Sequence, residues 1–117
     1  MDLDGYLALS IVAPNGTNIA QGLKTIEVRS WKPQHALPLK DVVIVENQSY
    51  LIHAHDEEVG LAVALVDFTH IEIWQPDQVK AACASAWVEG YWAWHISNIR
   101  PIHPPINTHA RRKLYLL

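Results

Sequence analysis

The segment from residue 22 to residue 31 collects several side chains that can bind or activate a ligand. It reads as a short strand, and side chains alternate between the two faces of a strand. One face carries a hydroxyl, a carboxylate, a guanidinium and an indole, which belong to Thr25, Glu27, Arg29 and Trp31. Lys24 adds an amine at the start of the strand. Ile26 and Val28 point the other way, and this apolar side predicts contact with a core.

These groups favour recognition of a nucleotide-like ligand. Arg29 can hold a phosphate with two parallel hydrogen bonds, and Lys24 supplies a second positive charge. Glu27 can accept a hydrogen bond from the exocyclic amine of a base or act as a general base on water, and Trp31 can stack on a base. The alternative is an exposed Glu27–Arg29 pair of little energetic value. If that pair is partly buried, the carboxylate stays ionised, which favours binding over proton transfer.

Three further features are candidates for contact with the same ligand. Asn47 follows the β-branched run 42–45 and offers both a donor and an acceptor, although asparagine is also common in turns after strands. Tyr91 begins an aromatic stretch and is a candidate for the border of the site. Arg111–Lys113 is the only dense basic run, and it predicts either a grip on an RNA backbone outside the site or a solvated charge cluster.

Metal and nucleophile patterns are weak in this chain. His53-x-His55-Asp56 has a spacing that metal sites use, but no third strong ligand is placed beside it, so we predict no metal and no cofactor. The other histidines are scattered and show no nucleophile–base pattern. Cys83 is the single cysteine, which excludes an internal disulfide and a multi-cysteine zinc site. We expect it to be a small buried hydrophobe in a helix.

Length and composition predict one domain over residues 1–117. The formal charge of −3 excludes wholesale attraction to duplex nucleic acid, so any contact with RNA must be local. No apolar stretch has the length of a membrane span, and the acidic amino terminus is unlike a signal peptide. We therefore expect no membrane partner and a cytoplasmic location, which the single cysteine also fits. The sequence predicts no particular oligomeric state.

Apolar patterning predicts about six strands with two or three short helices. The helices are expected at Asn15–Gln21, with Asn15 as N-cap, and from Pro76 to about Ala86. The predicted strands are Tyr6–Ala13, 24–31, Val42–Val45, Val59–Phe68, Tyr91–Ile99 and Leu114–Leu117. Three prolines after residue 100 predict an extended crossing before the last strand. This order, without regular βαβ alternation, predicts an α+β fold, specifically a small mixed β-barrel whose closure would remove exposed sheet edges.

An ordered set of motifs runs along nearly the whole chain. It begins with Leu9-Ser10-Ile11, then Pro14, a short helix and Gly22-x-Lys24-Thr25-x-Glu27-x-Arg29. It continues through the glycine-led strand Gly60–Asp67, an aromatic strand from Tyr91 and the closing segments Pro101-Ile102-x-Pro104 and Leu114-Tyr115. The set resembles the ASCH domain, a relative of the PUA fold. The resemblance implies a PUA-like β-barrel with a cleft beside the first helix, and involvement with RNA or modified nucleotides.

One branch of that superfamily comprises bacterial enzymes that remove the acetyl group from N4-acetylcytidine. Lys24 matches their lysine, whereas Glu27 stands where they carry a nucleophilic threonine, and the stretch 79–87 lacks their later glutamate. The resemblance therefore implies first a module that binds RNA or a modified nucleoside or nucleotide. The alternatives are a hydrolase of RNA or of an acylated nucleoside, with Lys24 and Glu27 catalytic, and a protein-interaction or regulatory module. The expected ligand contacts are Thr25, Arg29, Trp31, Asn47 and Tyr91.

Overall fold

Six strands and one short α-helix form the fold, which a computed structural model describes over all 117 residues. The elements are β1 (Leu7–Val12), α1 (Asn15–Ala20), β2 (Ile26–Arg29), β3 (Leu39–Asn47), β4 (Glu57–Ile73), a 3₁₀ turn (Pro76–Gln78), β5 (Trp92–Arg111) and β6 (Leu114–Leu116). The predicted number of strands is confirmed, whereas the prediction of two or three helices is wrong. No helix in the structure reaches the length and apolarity that crossing a bilayer requires.

The strands form one mixed sheet in the order β2-β5-β4-β3-β1-β6. β1 and β3 run parallel, and the other neighbours are antiparallel. The sheet is not closed, because β2 and β6 at its two ends do not pair, so the predicted closed barrel is wrong. Both end strands are short, and beside β2 the carbonyl of Ala81 accepts hydrogen bonds from the N–H groups of Thr25 and Ile26, at 2.9 and 3.2 Å. Short or covered edges protect an open sheet without closure.

β4 and β5 form a long antiparallel ribbon that the sequence predicted only in part. β4 has 17 residues and β5 has 20, against the predicted ranges Val59–Phe68 and Tyr91–Ile99. β5 continues through its three prolines rather than crossing away from the sheet. A shift of register between Ala62 and Ala64 accommodates them, because proline cannot donate to the ladder and is tolerated at bulges.

Apolar residues pack against both faces of the sheet. The larger cluster includes Leu9, Ile19, Val42, Ile44, Val66, Phe68 and Trp94. The cluster on the opposite face includes Ala8, Val43, Val45, Ala62 and Leu65. β3 and the centre of β4 are therefore buried on both sides, as their continuous apolar runs predicted. A third cluster contains Ile26 with Trp74, Ala82 and Ala93, which confirms the predicted core-facing side of β2.

The predicted helix from Pro76 to Ala86 is wrong. Only Pro76–Gln78 is helical, as one 3₁₀ turn, and the following residues form turns. The carbonyls of Ala81 and Ala82 bind the β2 segment instead of continuing a helix, because they accept from the Thr25 and Ile26 N–H groups and from Lys24 Nζ. Cys83 has φ +54° and is exposed, so its expected place as a buried helical residue is also wrong.

Helix α1 docks on the end of β3 through a carboxylate. Pro14, not the predicted Asn15, occupies the N-cap position and makes no side-chain cap. Glu46 replaces the cap, because its Oε2 accepts from the Thr17 N–H at 2.6 Å and its Oε1 accepts from Thr17 Oγ1 at 3.0 Å. A Cβ at Gly16 would lie only 2.8 Å from Glu46 Cβ, so the close approach requires glycine. This contact fixes the helix beside the cleft described below.

Candidate functional site

Three charged side chains from the β2 segment meet at the bottom of a cleft. Lys24 Nζ lies 3.2 Å from Glu27 Oε1, and Arg29 Nη2 lies 2.7 Å from Glu27 Oε2. Arg29 Nε also donates to Glu27 Oε2 at 2.8 Å. Two backbone carbonyls fix the cations, since Lys24 donates to Ala82 and Arg29 Nη2 donates to Ser10 at 2.8 Å. We call Lys24, Glu27 and Arg29 the floor triad.

The floor triad combines burial with a net positive charge. Lys24 and Glu27 are buried, and Arg29 is partly buried. Burial alone would raise the pKa of Glu27, but the charges of Arg29 and then Lys24, with their hydrogen bonds, outweigh it and hold that pKa below its ordinary value. The carboxylate is therefore ionised at neutral pH, which is the state that the sequence predicted for a buried pair.

The cleft above the floor triad has a volume of about 600 Å³. Its walls come from β1, β2, the loop after β3, residues 82–84 and the turn between β5 and β6. Five cationic side chains and one carboxylate line it, which gives a formal charge of +4; they are Lys24, Arg29, Arg111, Arg112, Lys113 and Glu27. The whole chain has a formal charge of −3, so positive charge is concentrated here. Such a cleft attracts anions.

The basic run Arg111–Lys113 forms part of the cleft wall, not a separate patch outside it. β6 pairs with β1 through Leu9 and Leu114, and this register brings the preceding turn next to Ser10. The N–H of Arg111 donates to Ser10 Oγ at 3.2 Å. The sequence revealed the charges but not their location, because the location depends on a pairing between the first and last strands. We call Arg111–Lys113 the basic rim.

Two aromatic side chains border the cleft. Trp31 packs edge-on against the buried Trp94, with ring centroids 5.0 Å apart, and Lys113 Nζ lies 5.4 Å from the centroid of the Trp31 ring. Tyr50 is 82% exposed in the loop after β3 and also lines the cleft. Sequence reasoning missed Tyr50, although a lone aromatic in a polar loop was a visible signal. Both rings can provide surfaces on which a base stacks.

Asn47 lies in the cleft wall, but its amide nitrogen is already used. It is buried, and Nδ2 donates to the carbonyl of Ser49 and to Glu58 Oε1, both at 2.7 Å. Glu58 Oε1 also accepts from the N–H groups of Gln48 and Ser49, at 2.8 and 2.9 Å. These bonds shape the loop that presents Tyr50. Asn47 is thus a structural part of the wall, which was the alternative reading of its position after a strand.

The structure does not bring Thr25 and Tyr91 into the cleft. The Thr25 side chain is exposed away from the lining, and its backbone N–H and carbonyl bind Ala81 and Ile96. Tyr91 is exposed just before β5, and its carbonyl accepts a hydrogen bond from the Trp74 N–H at 3.0 Å. We leave both residues out of the proposed site. Lys24, Glu27, Arg29 and Trp31 remain together in it.

The histidines that lie closest together in the structure are not those that lie closest together in the sequence. His53 and His55 stack with centroids 6.1 Å apart, and Asp56 accepts backbone N–H bonds from His53 and Ile52, which lower the pKa of its carboxyl. Asp56 therefore closes a turn. By contrast, His70 and His95 are 25 positions apart in sequence and stack with centroids 4.0 Å apart.

A six-stranded mixed sheet with a cationic cleft beside a short helix defines a small β-rich domain suited to anionic ligands. Comparison with known protein families then identifies the family to which this domain belongs. The ASCH domain matches residues 9–106, most of the chain, so this chain belongs to the ASCH domain family. That family is PUA-like and RNA-binding. No curated protein gives a significant match to the chain.

Proposed function

We propose that the cleft binds RNA or a modified nucleoside or nucleotide, with the floor triad as its recognition centre. The observation that carries this proposal is a buried cluster of two cations and one carboxylate at the bottom of the cleft. Removing charges from water costs several kcal/mol per ion, and apolar residues of similar volume stabilise a core at least as well. A role in holding a ligand accounts for the retained charges, and the family's RNA-binding character supports the ligand class.

The contacts available to a ligand follow from the donors that the protein leaves unused. Nε and Nη2 of Arg29 are engaged with Glu27 and Ser10, which leaves Nη1 available to a ligand. Arg112 and Lys113 make no ion pair with the protein and can bind phosphate oxygens, whereas Arg111 is paired with Glu57 at 3.1 Å. A phosphate between the floor and the basic rim would place its base near Trp31 and Tyr50.

The same geometry supports binding over hydrolysis. A general base should have a pKa near the working pH, but the pKa of Glu27 is lowered, and both of its oxygens contact cations. Thr25, the hydroxyl closest in sequence to Lys24, lies outside the cleft. The hydrolase and interaction-module alternatives are therefore outcomes to be tested, and binding without turnover is the expected result.

The proposal is tested by titrating a labelled single-stranded RNA and, in parallel, cytidine and N4-acetylcytidine. We compare wild type with the double variant Arg112→Ala/Lys113→Ala, which leaves the floor triad intact, and with Arg29→Ala. Both variants should weaken RNA binding by roughly tenfold or more, about 1.4 kcal/mol. For the rim variant, the slope of log affinity against log salt should fall by about 1.4, because two phosphate contacts are lost.

Arg100→Ala is the matched control, since Arg100 is also a strand arginine paired with carboxylates but lies outside the cleft. Its RNA affinity should equal that of wild type. The proposal is wrong if wild type binds neither RNA nor the nucleosides, or if the rim variant binds as tightly as wild type. RNA cleavage or deacetylation that disappears in Glu27→Gln would favour the hydrolase. A dimer in light scattering together with no ligand binding would favour the interaction module.

A further inference from the structure

His70, Glu72 and His95 form a compact cluster away from the cleft. Each offers one ligand atom, an imidazole nitrogen or a carboxylate oxygen, and these three atoms lie within 4.8 Å of one another. His95 Nε2 and Glu72 Oε1 are 2.9 Å apart. The ring of His70 stacks on that of His95 at 4.0 Å with an angle of 10° between the planes. The cluster is open to solvent, because His70 and Glu72 are exposed and His95 is only partly buried.

The sheet itself makes the three side chains converge. His70 and Glu72 are two residues apart on β4, so they point to the same side. On β5, Ala93 pairs with Glu72 and lies two residues from His95, which places His95 on that side as well. A register shift between Phe68 and Ile71 brings the β4 residues into line with His95. Strand positions of this kind hold ligands more rigidly than loop positions.

Neighbouring polar groups orient these side chains. Gln78 Nε2 donates to Glu72 Oε1 at 3.1 Å, from the 3₁₀ turn beneath the carboxylate. Thr69 Oγ1 lies 3.3 Å from His70 Nδ1, which leaves Nε2 of that ring without a protein partner. Metal-ligating histidines and carboxylates usually have outer contacts of this type, which fix the ring tautomer and direction.

A simple ion pair explains only part of the arrangement. An interaction between His95 and Glu72 needs no second imidazole, yet His70 is stacked on His95. The three ligand atoms come from two strands and converge on one point outside the sheet. Ligand atoms around tetrahedral zinc are separated by roughly 3.4 Å, given zinc–nitrogen bonds of about 2.0–2.1 Å. Binding a metal ion would require the exposed side chains to rotate, so that the ligand atoms reach this separation and the stacked rings tilt until their nitrogen lone pairs converge.

We propose that His70, Glu72 and His95 bind one divalent transition-metal ion of the zinc type. Two imidazoles and one carboxylate suit zinc and its neighbours, whereas magnesium and calcium prefer oxygen ligands. The site lies on the opposite side of the sheet from the floor triad, because Trp94 pairs with Glu27 and the adjacent His95 points the other way. The metal therefore joins β4 to β5 and stabilises the ribbon, and it takes no part in the cleft.

The test is calorimetric titration of zinc chloride into tag-free protein that has been stripped with chelator and dialysed. We expect saturation at one zinc per chain, a zinc-dependent rise in Tm, and no heat with magnesium chloride. His70→Gln and Glu72→Gln change exposed side chains, so both variants should fold, and each should weaken zinc binding by about tenfold or more. The matched control is the double variant His53→Gln/His55→Gln, whose zinc affinity should equal that of wild type.

Three results would overturn the site. They are zinc binding by wild type too weak to saturate at millimolar metal, zinc affinity unchanged in both His70→Gln and Glu72→Gln, and loss of binding in the His53/His55 control with retention in the other variants. Thermal melts distinguish these results from misfolding. A variant that has lost only a metal ligand keeps the Tm of metal-free wild type.

Discussion

Two clusters of three charged residues lie on the same sheet and differ in burial and in sign. The floor triad has a formal charge of +1, and its lysine, glutamate and arginine side chains are 5%, 8% and 21% exposed. The second cluster, which we call the surface triad, consists of Arg100 between Asp41 and Asp67 and has a formal charge of −1. Its Arg100 and Asp41 side chains are 36% and 58% exposed, and its Asp67 side chain is 13% exposed.

The difference indicates what each cluster is for. The surface triad fastens three strands at a register shift: Asp67 Oδ1 accepts from the Asp41 N–H at 3.0 Å and from Arg100 Nη2 at 2.8 Å. The Asp41–Arg100 pair is exposed, and ion pairs at such exposure contribute little. The floor triad is expensive to bury and lines a cleft, which the proposed role in ligand binding explains. Two triads of mixed charge on one sheet thus differ in their roles.

The strongest test of this contrast is Glu27→Ala. Removing the carboxylate leaves two cations facing each other in a buried site, so the free energy of unfolding should fall by about 3 kcal/mol or more. Urea denaturation monitored by tryptophan fluorescence measures the loss, with Arg100→Ala as the reference. Equal losses in the two variants would show that burial does not separate the triads.

Acid should reduce the contribution of the floor triad to the free energy of unfolding. A carboxyl whose pKa lies below its ordinary 4.5 stabilises the fold at neutral pH and loses that contribution as the pH falls from 4.5 through the folded-state value. The difference in unfolding free energy between wild type and Glu27→Gln should therefore be largest near neutrality and shrink below pH 4.5. Urea titrations of both proteins across this range measure it, and a constant difference contradicts the assignment.

Arg100→Ala should have a smaller effect that depends on salt. Its loss should lower the unfolding free energy by about 1 kcal/mol or less at low ionic strength. Near 1 M sodium chloride the screening length is about 3 Å, so most of that loss should disappear. The loss caused by Glu27→Ala should persist in the same buffer, because a buried pair is screened far less. If the effect of Arg100→Ala does not depend on salt, the surface triad is screened as little as the floor triad, and the contrast between them is wrong.

Asp41→Asn should have the smallest effect. Asp41 has φ +57°, which asparagine also tolerates, so the substitution removes a charge without straining the backbone. The exposed Asp41–Arg100 pair is lost while the Asp67–Arg100 pair remains, and the unfolding free energy should change by about 0.5 kcal/mol or less. A loss above that, in the same urea assay, would mean that the surface triad is more than a set of exposed pairs.

Local patterns predicted much of the fold and the centre of the site. Alternation along β2 placed Glu27 and Arg29 on one side and turned Ile26 toward a core, because successive side chains of a strand point in opposite directions. The same alternation wrongly added Thr25, since β2 begins only at Ile26. The apolar runs of β3 and β4 likewise identified strands covered on both faces. These inferences depend only on neighbours along the chain.

The errors concern features that distant contacts decide. The segment after Pro76 has the composition of a helix, but its carbonyls at Ala81 and Ala82 bind the β2 segment instead. The open sheet depends on which strands pair at its ends, and the basic rim enters the cleft only because β6 pairs with β1. Neither pairing leaves a signature in local spacing, and the same applies to the approach of His70 to His95.

Because the last strand pairs with the first, the protein can complete its cleft only at the end of its synthesis. The hydrogen bond from Arg111 to Ser10 joins residues 101 positions apart, and Leu116 pairs with Leu7. Contacts of such long range form only after the intervening chain has been made and its loop entropy has been overcome. A nascent chain that has just passed residue 29 contains the three residues of the floor triad, but it lacks the Ala82 carbonyl that fixes Lys24, the strand β5 that pairs with β2, and the basic rim. The cleft is therefore completed late in folding, and a chain interrupted on the ribosome before residue 111 lacks the basic rim.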